Sequence, residues 1–324
     1  MLDHQEFLED IKKIYCNYGP SKSMVVKRSN PDIADYFLLR KFSGLNDLLI
    51  IFNTRGCPFN CTFCNLKKQK TTDKECDVLI QFKKVCWELR HSLSIVERLT
   101  LSNNSSVLNE DIFPSESLLL ILRALKEFKS LKEVVMESNM YFIEANRIRN
   151  IMNIIQGKRL VILTGFETLN EEVRTKILRK PESVELFIQK LDILKECDCD
   201  FTAYILYKPD FRMTDNEAYE EAEKTVTFLH NEAMRRGIKL SLRINPMYAA
   251  EGTLWCEEAK RTPEYLPPNL SDIIRLARSC KEKGISVYIG LSTENSTKLF
   301  GCYRYRQEYS KAILKEAIKI NVEG

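Results

Sequence analysis

From Asp47 onward the chain repeats one alternation: a short run of β-branched and apolar residues, a polar loop, then a longer stretch with apolar positions at helical spacing. The short runs are 48–53, 96–102, 134–138, 160–164, 201–207, 240–244 and 285–289. Between them lie stretches such as Leu79, Phe82, Cys86 and Leu89, or Leu118, Ile121, Leu122 and Leu125, each tracing one face of a helix. Gly157, Gly237 and Gly284 precede three of the later runs, where a helix exit favours a residue that turns left-handed without strain. Strands alternating with helices imply parallel β/α units joined by right-handed crossovers. Six such repeats and a seventh strand predict an α/β fold, a partial or full parallel (β/α) barrel.

The pattern divides the chain into an N-terminal extension at 1–45, the barrel at 46–295 and a C-terminal helical extension at 296–324. In the first of these, Phe7, Ile11 and Ile14 or Tyr15 suggest a short helix, which Gly19-Pro20-Ser21 breaks. The stretches 24–28 and 35–41 read as a lid or an edge pairing. Their basic residues Lys22, Lys27, Arg28, Arg40 and Lys41 either face a phosphate-bearing substrate or belong to a solvated connector.

With 324 residues and 44% hydrophobic composition, the chain can bury one large core. The net charge of +4, from 49 basic and 45 acidic residues, permits an anionic partner without demanding one. The first 13 residues are acidic and amphipathic, unlike a signal peptide, and no apolar run has the length of a membrane span. A soluble, cytoplasmic protein is therefore expected, with its eleven cysteines as reduced thiols.

Three of those thiols crowd one loop directly after the first barrel strand, in Cys57-Pro58-Phe59-Asn60-Cys61-Thr62-Phe63-Cys64. Thiolates this close can converge on a soft metal centre. Three ligands on a four-iron cluster would leave one iron open to a small chelating molecule. A structural zinc site is the competing reading, but it closes with four Cys or His ligands. Cys197-Asp198-Cys199 is the only other tight pair, and His4, His91 and His230 are isolated. The spacing C-x3-C-x2-C, with aromatic Phe63 before the third cysteine, resembles the radical S-adenosylmethionine (SAM) superfamily. That resemblance implies a [4Fe-4S] cluster on Cys57, Cys61 and Cys64 whose open iron binds SAM. It also implies reductive cleavage of SAM to a 5′-deoxyadenosyl radical that abstracts hydrogen from a substrate, with an electron donor such as flavodoxin or ferredoxin.

In a β/α barrel, chemistry sits at the C-terminal ends of the strands. The cysteine loop occupies the first such end. The second carries Ser102-Asn103-Asn104-Ser105-Ser106, where the resemblance places the grip on the SAM amino group, although the family's Gly-Gly-Glu-like turn is absent. The third ends in Glu137-Ser138-Asn139. At the fourth, Thr164-Gly165-Phe166-Glu167-Thr168, the pair Thr168 and Glu171 predicts a capping box opening the next helix, with Arg174 one turn in. The backbone N–H groups of such a start suit a carboxylate or ribose oxygen, and Glu167 can accept from hydroxyls. The fifth and sixth ends are Tyr207-Lys208-Pro209 and Asn245-Pro246-Met247. Phe63, Asn103, Asn104, Ser105, Glu137, Glu167, Thr168 and Arg174 form the expected SAM pocket. Each also has a plain structural role open to it: Asn103 and Asn104 can turn the chain, and Arg174 can pair with a neighbouring acid.

The order of Glu137-Ser138, Gly165-Phe166-Glu167-Thr168, Tyr204 to Pro209, Asn245-Pro246 with Gly252-Thr253, and Glu264 to Pro268 is similar to the Elp3/MiaB/NifB-like radical SAM core. Within that group the archaeosine-synthase radical SAM subunit and its relatives are most similar, over residues 47–302. The residues outside the core are too few for an acetyltransferase, methylthiotransferase or TRAM-like module, so none is expected within these 324 residues. For substrate, the run Cys302-Tyr303-Arg304-Tyr305-Arg306 interleaves rings with guanidinium groups, which can stack on bases and neutralise phosphates or simply close a helix over the barrel. Cys16, Cys76, Cys86, Cys256 and Cys280 read as core or surface thiols. The expectation is a radical SAM enzyme acting on a nucleoside, within tRNA. The alternatives are a radical SAM tailoring enzyme for a small metabolite or peptide and, from another class, a non-catalytic metal- or RNA-binding barrel.

Overall fold

In the computed structural model the strands form one nine-stranded sheet, ordered in space as they occur in the chain. Residues 36–68, 77–247, 249–291 and 311–324 are described, with strand 22–25 and residues 10, 13, 14, 34 and 303. Strands β1 (Lys22–Val25) and β2 (Tyr36–Phe42) pair antiparallel onto the edge of β3 (Leu45–Phe52), the edge pairing expected of the N-terminal segment. From β3 onward every pairing is parallel, through β4 (Arg98–Asn103), β5 (Glu133–Glu137), β6 (Arg159–Glu167), β7 (Asp200–Tyr207), β8 (Leu240–Pro246) and β9 (Ser286–Ile289). These are the seven strands that the hydrophobic pattern predicts.

The crossovers are α1 (Val78–Glu88), α2 (Ser115–Ala124), α3 (Ala145–Ile154), α4 (Val184–Glu196), α5 (Asp215–Arg236) and α7 (Leu270–Glu282), with the short α6 (Leu254–Lys260) between β8 and α7. Strand residues alternate between two environments. Leu48, Ile50 and Phe52, like Leu99 and Leu101, join the helix-covered core, while Asp47, Arg98 and Thr100 take the other face, toward the barrel lumen. Val135, Val161 and Leu163 form a separate apolar group inside that lumen. At the helix exits, Gly157, Gly237 and Gly284 all adopt positive φ, at 77°, 68° and 75°. An L side chain there would be strained, so the glycines set where each helix stops.

The sheet curls without pairing its ends, which makes the fold a partial barrel. Phe42 of β2 packs on Tyr288 of β9 with ring centroids 5.0 Å apart, and Ser43 Oγ lies 3.4 Å from Ser286 Oγ. The final helix α8 (Lys311–Glu323) closes the seam. The backbone N–H groups of Ser43 and Gly44 donate to the carbonyls of Asn321 and Val322, at 3.2 and 2.8 Å. The Asn321 side chain imitates a neighbouring strand for edge strand β9. Its Oδ1 accepts from Ile289 N–H (2.6 Å) and its Nδ2 donates to the Ile289 carbonyl (2.9 Å). An edge covered in this way offers no template for pairing with another chain. Among the described residues no helix is long and apolar enough to cross a membrane.

Two expectations about the extensions change here. Arg40 is not part of a solvated connector, because its place on β2 turns it toward the lumen, where its Nε meets Asp47 at 3.1 Å. Tyr303 does not stack on a base, because it is 1% exposed and its hydroxyl donates to the Gly290 carbonyl at 2.5 Å. Phe7, Ile11, Tyr15, Cys16, Lys27, Arg28, Cys76, Cys302, Arg304, Tyr305 and Arg306 lie outside the described residues.

Candidate active site

The cysteine loop begins where β3 ends, and a helix side chain fixes that point. Gln81 of α1, wholly buried, accepts from Asn53 N–H and donates to the Asn53 carbonyl, both at 2.8 Å. The loop then folds back so tightly that a Cβ on Gly56 would lie 2.8 Å from the Leu66 carbonyl oxygen and 2.9 Å from that of Lys67. Both neighbours are backbone, so only glycine allows this closure. Thr62 anchors the middle of the loop: its N–H donates to the Leu178 carbonyl (2.9 Å), its hydroxyl to Ile177 (2.5 Å), and its carbonyl accepts from Trp255 N–H (3.1 Å). Phe63 packs against an apolar cluster containing Val173, Leu178, Leu206, Met247 and Trp255.

These anchors present Cys57, Cys61 and Cys64 as free, half-buried thiols. Burial pushes all three up, Cys61 to about 11 and Cys64 to about 12. The cysteines also raise one another: Cys57 acts on Cys61, and both act on Cys64. A positive group opposes this trend, since the Lys180 ammonium lowers Cys57 and Cys61. Among the described residues no three His, Cys, Asp or Glu side chains close on one point that could hold a single metal ion. Thiolates that each take a different iron of a cluster need not meet at one point.

The neighbouring strand ends supply polar groups. Ser105 sits beside the Cys57 thiol. Asn103 turns the chain there, its Oδ1 accepting from Ser105 N–H at 3.0 Å, while its Nδ2 is buried with no hydrogen-bond partner. Asn104 is buried next to it. Glu137 at the end of β5 is half-buried and accepts from the Ser102 hydroxyl at 2.5 Å. At the end of β6 the register with β7 shifts between Gly165 and Glu167, and Glu167 adopts φ 73°. A bulge with a left-handed non-glycine residue re-aims the side chain at a cost, as functional sites often do. The Glu167 side chain folds over Gly165, in space that a Cβ there would take.

The structure joins two residues to this site that strand-end reasoning passes over, Lys180 and Glu182. Lys180 Nζ lies 2.7 Å from Glu182 Oε2 and 3.6 Å from Glu167 Oε1, and all three side chains are less than a tenth exposed. Burial works against the Lys180 ammonium, but the Glu182 and Glu167 carboxylates override it and push its pKa up. Burial raises the Glu167 carboxyl despite Lys180. Between the charged pair, the Pro181 carbonyl accepts from the Tyr141 hydroxyl at 3.1 Å. The Tyr141 ring lies 5.7 Å from Phe59 of the cysteine loop. Lys180 and Glu182 follow a helical turn rather than a strand, so the signal available was the charged triplet Lys180-Pro181-Glu182 ahead of an apolar helix.

The predicted capping box of Thr168 and Glu171 does not form. The Thr168 hydroxyl instead donates to Glu221 of α5, and the helical start is capped by Asn170, whose Oδ1 accepts from Val173 N–H at 3.1 Å. Residues Val173–Ile177 then form a π-helical turn. This turn places the Ile177 and Leu178 carbonyls where Thr62 reaches them. Arg174, fully buried, neither stands open nor pairs with an acid at helical spacing. Its Nε donates to the Glu182 carbonyl (2.9 Å), and its Nη1 donates to the carbonyls of Thr168 (3.1 Å) and Phe166. Its guanidinium carbon stands 4.8 Å from the Phe166 ring centroid. Arg174 thus clamps the end of β6 to the Lys180–Glu182 segment.

Residues 51–247 match the family model of the radical SAM superfamily. Over 98% of its length the chain is 24% identical to an uncharacterized protein of Methanocaldococcus jannaschii, covering 86% of that protein. It is 23% identical over 163 residues to the archaeosine synthase subunit beta of Thermococcus kodakarensis, an alignment that spans 50% of this chain and 48% of that one. In fold it is similar to methylornithine synthase, with a TM-score of 0.55 at 12% identity, covering 88% of this chain and 70% of the other.

Proposed function

Because this chain belongs to the radical SAM superfamily, we propose that Cys57, Cys61 and Cys64 hold a [4Fe-4S] cluster and that SAM binds against it at the strand ends. The donor set fits: three free thiols on one anchored loop, with one iron left for a chelating ligand. The chemistry such a cluster supplies when bound is one-electron reductive cleavage of SAM, yielding a 5′-deoxyadenosyl radical that takes hydrogen from the substrate. Electrons come from a donor of the flavodoxin or ferredoxin type.

The rest follows from this chain's own side chains. Lys180, held in place by Glu167 and Glu182, keeps a positive charge beside the loop and favours the thiolate forms that ligation needs. Asn103 Nδ2, buried and without a partner, is a donor ready for an acceptor on SAM. Glu167, aimed by its bulge, accepts from SAM hydroxyls. Phe63 supplies an aromatic edge next to the third thiol.

Two outcomes test these roles. Glu167→Gln keeps shape but weakens acceptance, so SAM affinity, read by equilibrium dialysis, is expected to fall about tenfold while iron content is retained. Unchanged affinity removes Glu167 from the pocket. Gly56→Ala forces a methyl group against the Leu66 and Lys67 carbonyls, with an expected loss of about 1–3 kcal/mol in urea unfolding and less iron held after reconstitution.

For substrate we infer a nucleoside within tRNA. The similarity to the archaeosine synthase subunit beta over half the chain supports that reading. The observation that carries the proposal as a whole is the cysteine loop at the end of the first parallel strand in a chain of this family. Comparing RNA and metabolites by mass spectrometry, in cells with and without the gene, tests the substrate. Loss of one modified nucleoside is the expected result; a change confined to small metabolites would move the substrate to that class.

A further inference from the structure

Toward the opposite end of the strands, three arginines surround one phenyl ring in the lumen. The guanidinium carbons of Arg40, Arg98 and Arg243 lie 4.6, 4.9 and 5.2 Å from the Phe42 ring centroid. Carboxylates answer most of this charge. Asp47 lies 3.1 Å from Arg40, and Glu133 lies 3.1 Å from both Arg98 and Arg159. Arg159 also meets Asp200 at 2.9 Å and, being half-exposed, connects the network to solvent.

Arg243 is the exception. It is 8% exposed, yet its polar contact is with the Tyr204 hydroxyl, to which its Nη1 donates at 3.0 Å. The rings of Tyr204 and Tyr288 lie 5.4 and 5.6 Å from its guanidinium carbon, and no carboxylate among the described residues pairs with it. Among the described residues the network sets four guanidinium groups (Arg40, Arg98, Arg159, Arg243) against three carboxylates (Asp47, Glu133, Asp200), one more positive than negative group. Arg243 Nε and Arg98 Nη1 are among its buried donors that have no hydrogen-bond partner. A buried cation without a counter-charge is strongly unfavourable, and so is an unmet buried donor. Both defects have one remedy, an acceptor that carries negative charge.

We propose that the barrel lumen is an oxyanion-binding site in which Arg243 and Arg98 take a carboxylate or phosphate group, free or as the acid end of a larger ligand. The planar fork of arginine suits two-oxygen acceptors, and the surrounding rings hold the guanidinium groups in place while excluding water. The site uses Arg98, the first residue of β4, and Arg243, midway along β8, and no residue of the cysteine loop. It therefore stands or falls independently of the radical chemistry.

The test is isothermal titration of the full chain, purified anaerobically, with inorganic phosphate and separately with acetate at fixed ionic strength. Saturable binding of one ion per chain is expected for at least one of them. A response to phosphate alone marks a phosphate site, and a response to acetate alone a carboxylate site. Arg243→Met should weaken binding about tenfold or more, the worth of a charge-assisted hydrogen bond. Should that variant not fold, Arg98→Lys, which keeps the charge but loses the fork, is expected to weaken it in the same direction. No saturable binding of either ion to the wild-type chain overturns the proposal without recourse to a variant, and so does unchanged affinity in a folded variant.

Discussion

Cys61→Ser is expected to take anaerobically reconstituted protein from about four irons per chain to less than about one, and to abolish SAM cleavage, because each thiolate ligates one iron of the cluster. Serine offers a hard alkoxide in place of a soft thiolate and does not replace it on iron. The fold should survive, since the loop is held by Thr62, Gln81 and the Phe63 contacts, none of which involves the Cys61 sulfur. The melting temperature of the cluster-free protein should therefore match that of cluster-free wild type. Cys57→Ser and Cys64→Ser should behave alike. Cys86→Ser supplies the control, because that thiol sits on α1 away from the loop and its loss should leave iron content unchanged.

The barrel was legible because each strand reads as a short run rich in apolar and β-branched residues, separated by helices with one apolar face. Gly157, Gly237 and Gly284 marked three helix exits correctly, since positive φ selects glycine strongly. The position of the cysteine loop followed from the strand before it. What could not be read were contacts between segments distant in the chain. Thr168 and Glu171 have the spacing of a capping box, but Glu221, 53 residues on, captures the Thr168 hydroxyl, and Asn170 takes over the cap. Arg174 and Tyr303 look like surface functional groups in sequence. Arg174 Nε and Nη1 and the Tyr303 hydroxyl instead donate to backbone carbonyls that only the tertiary fold brings near, while Arg174 Nη2 stays buried with no hydrogen-bond partner. Lys180 and Glu182 escaped notice for the converse reason: charged residues after a turn read as solvated, whereas the fold buries them as an ion pair against Glu167.

That ion pair carries the second large effect. Lys180→Met should destabilise the protein by about 3–5 kcal/mol, because it removes the ammonium that pairs with two buried carboxylates, Glu167 and Glu182, and leaves only the more distant field of Arg174 to offset them. Urea unfolding of the cluster-free chain measures this directly. Adding Glu182→Gln should recover part of the loss, since one uncompensated charge is removed while Gln can still accept from Met140 N–H, a bond of 3.2 Å in this protein. If Lys180→Met changed stability by less than about 1 kcal/mol, as exposed ion pairs do, the charges would be solvated and the buried triad incorrect.

The most direct measurement is of SAM itself. The reconstituted protein is reduced under anaerobic conditions with SAM present, and 5′-deoxyadenosine is quantified by chromatography alongside the iron content of the same sample. The account predicts 5′-deoxyadenosine in proportion to bound iron, and none from the Cys57, Cys61 or Cys64 variants. Tightly bound zinc with no iron-sulfur absorbance, and intact SAM after reduction, would contradict it.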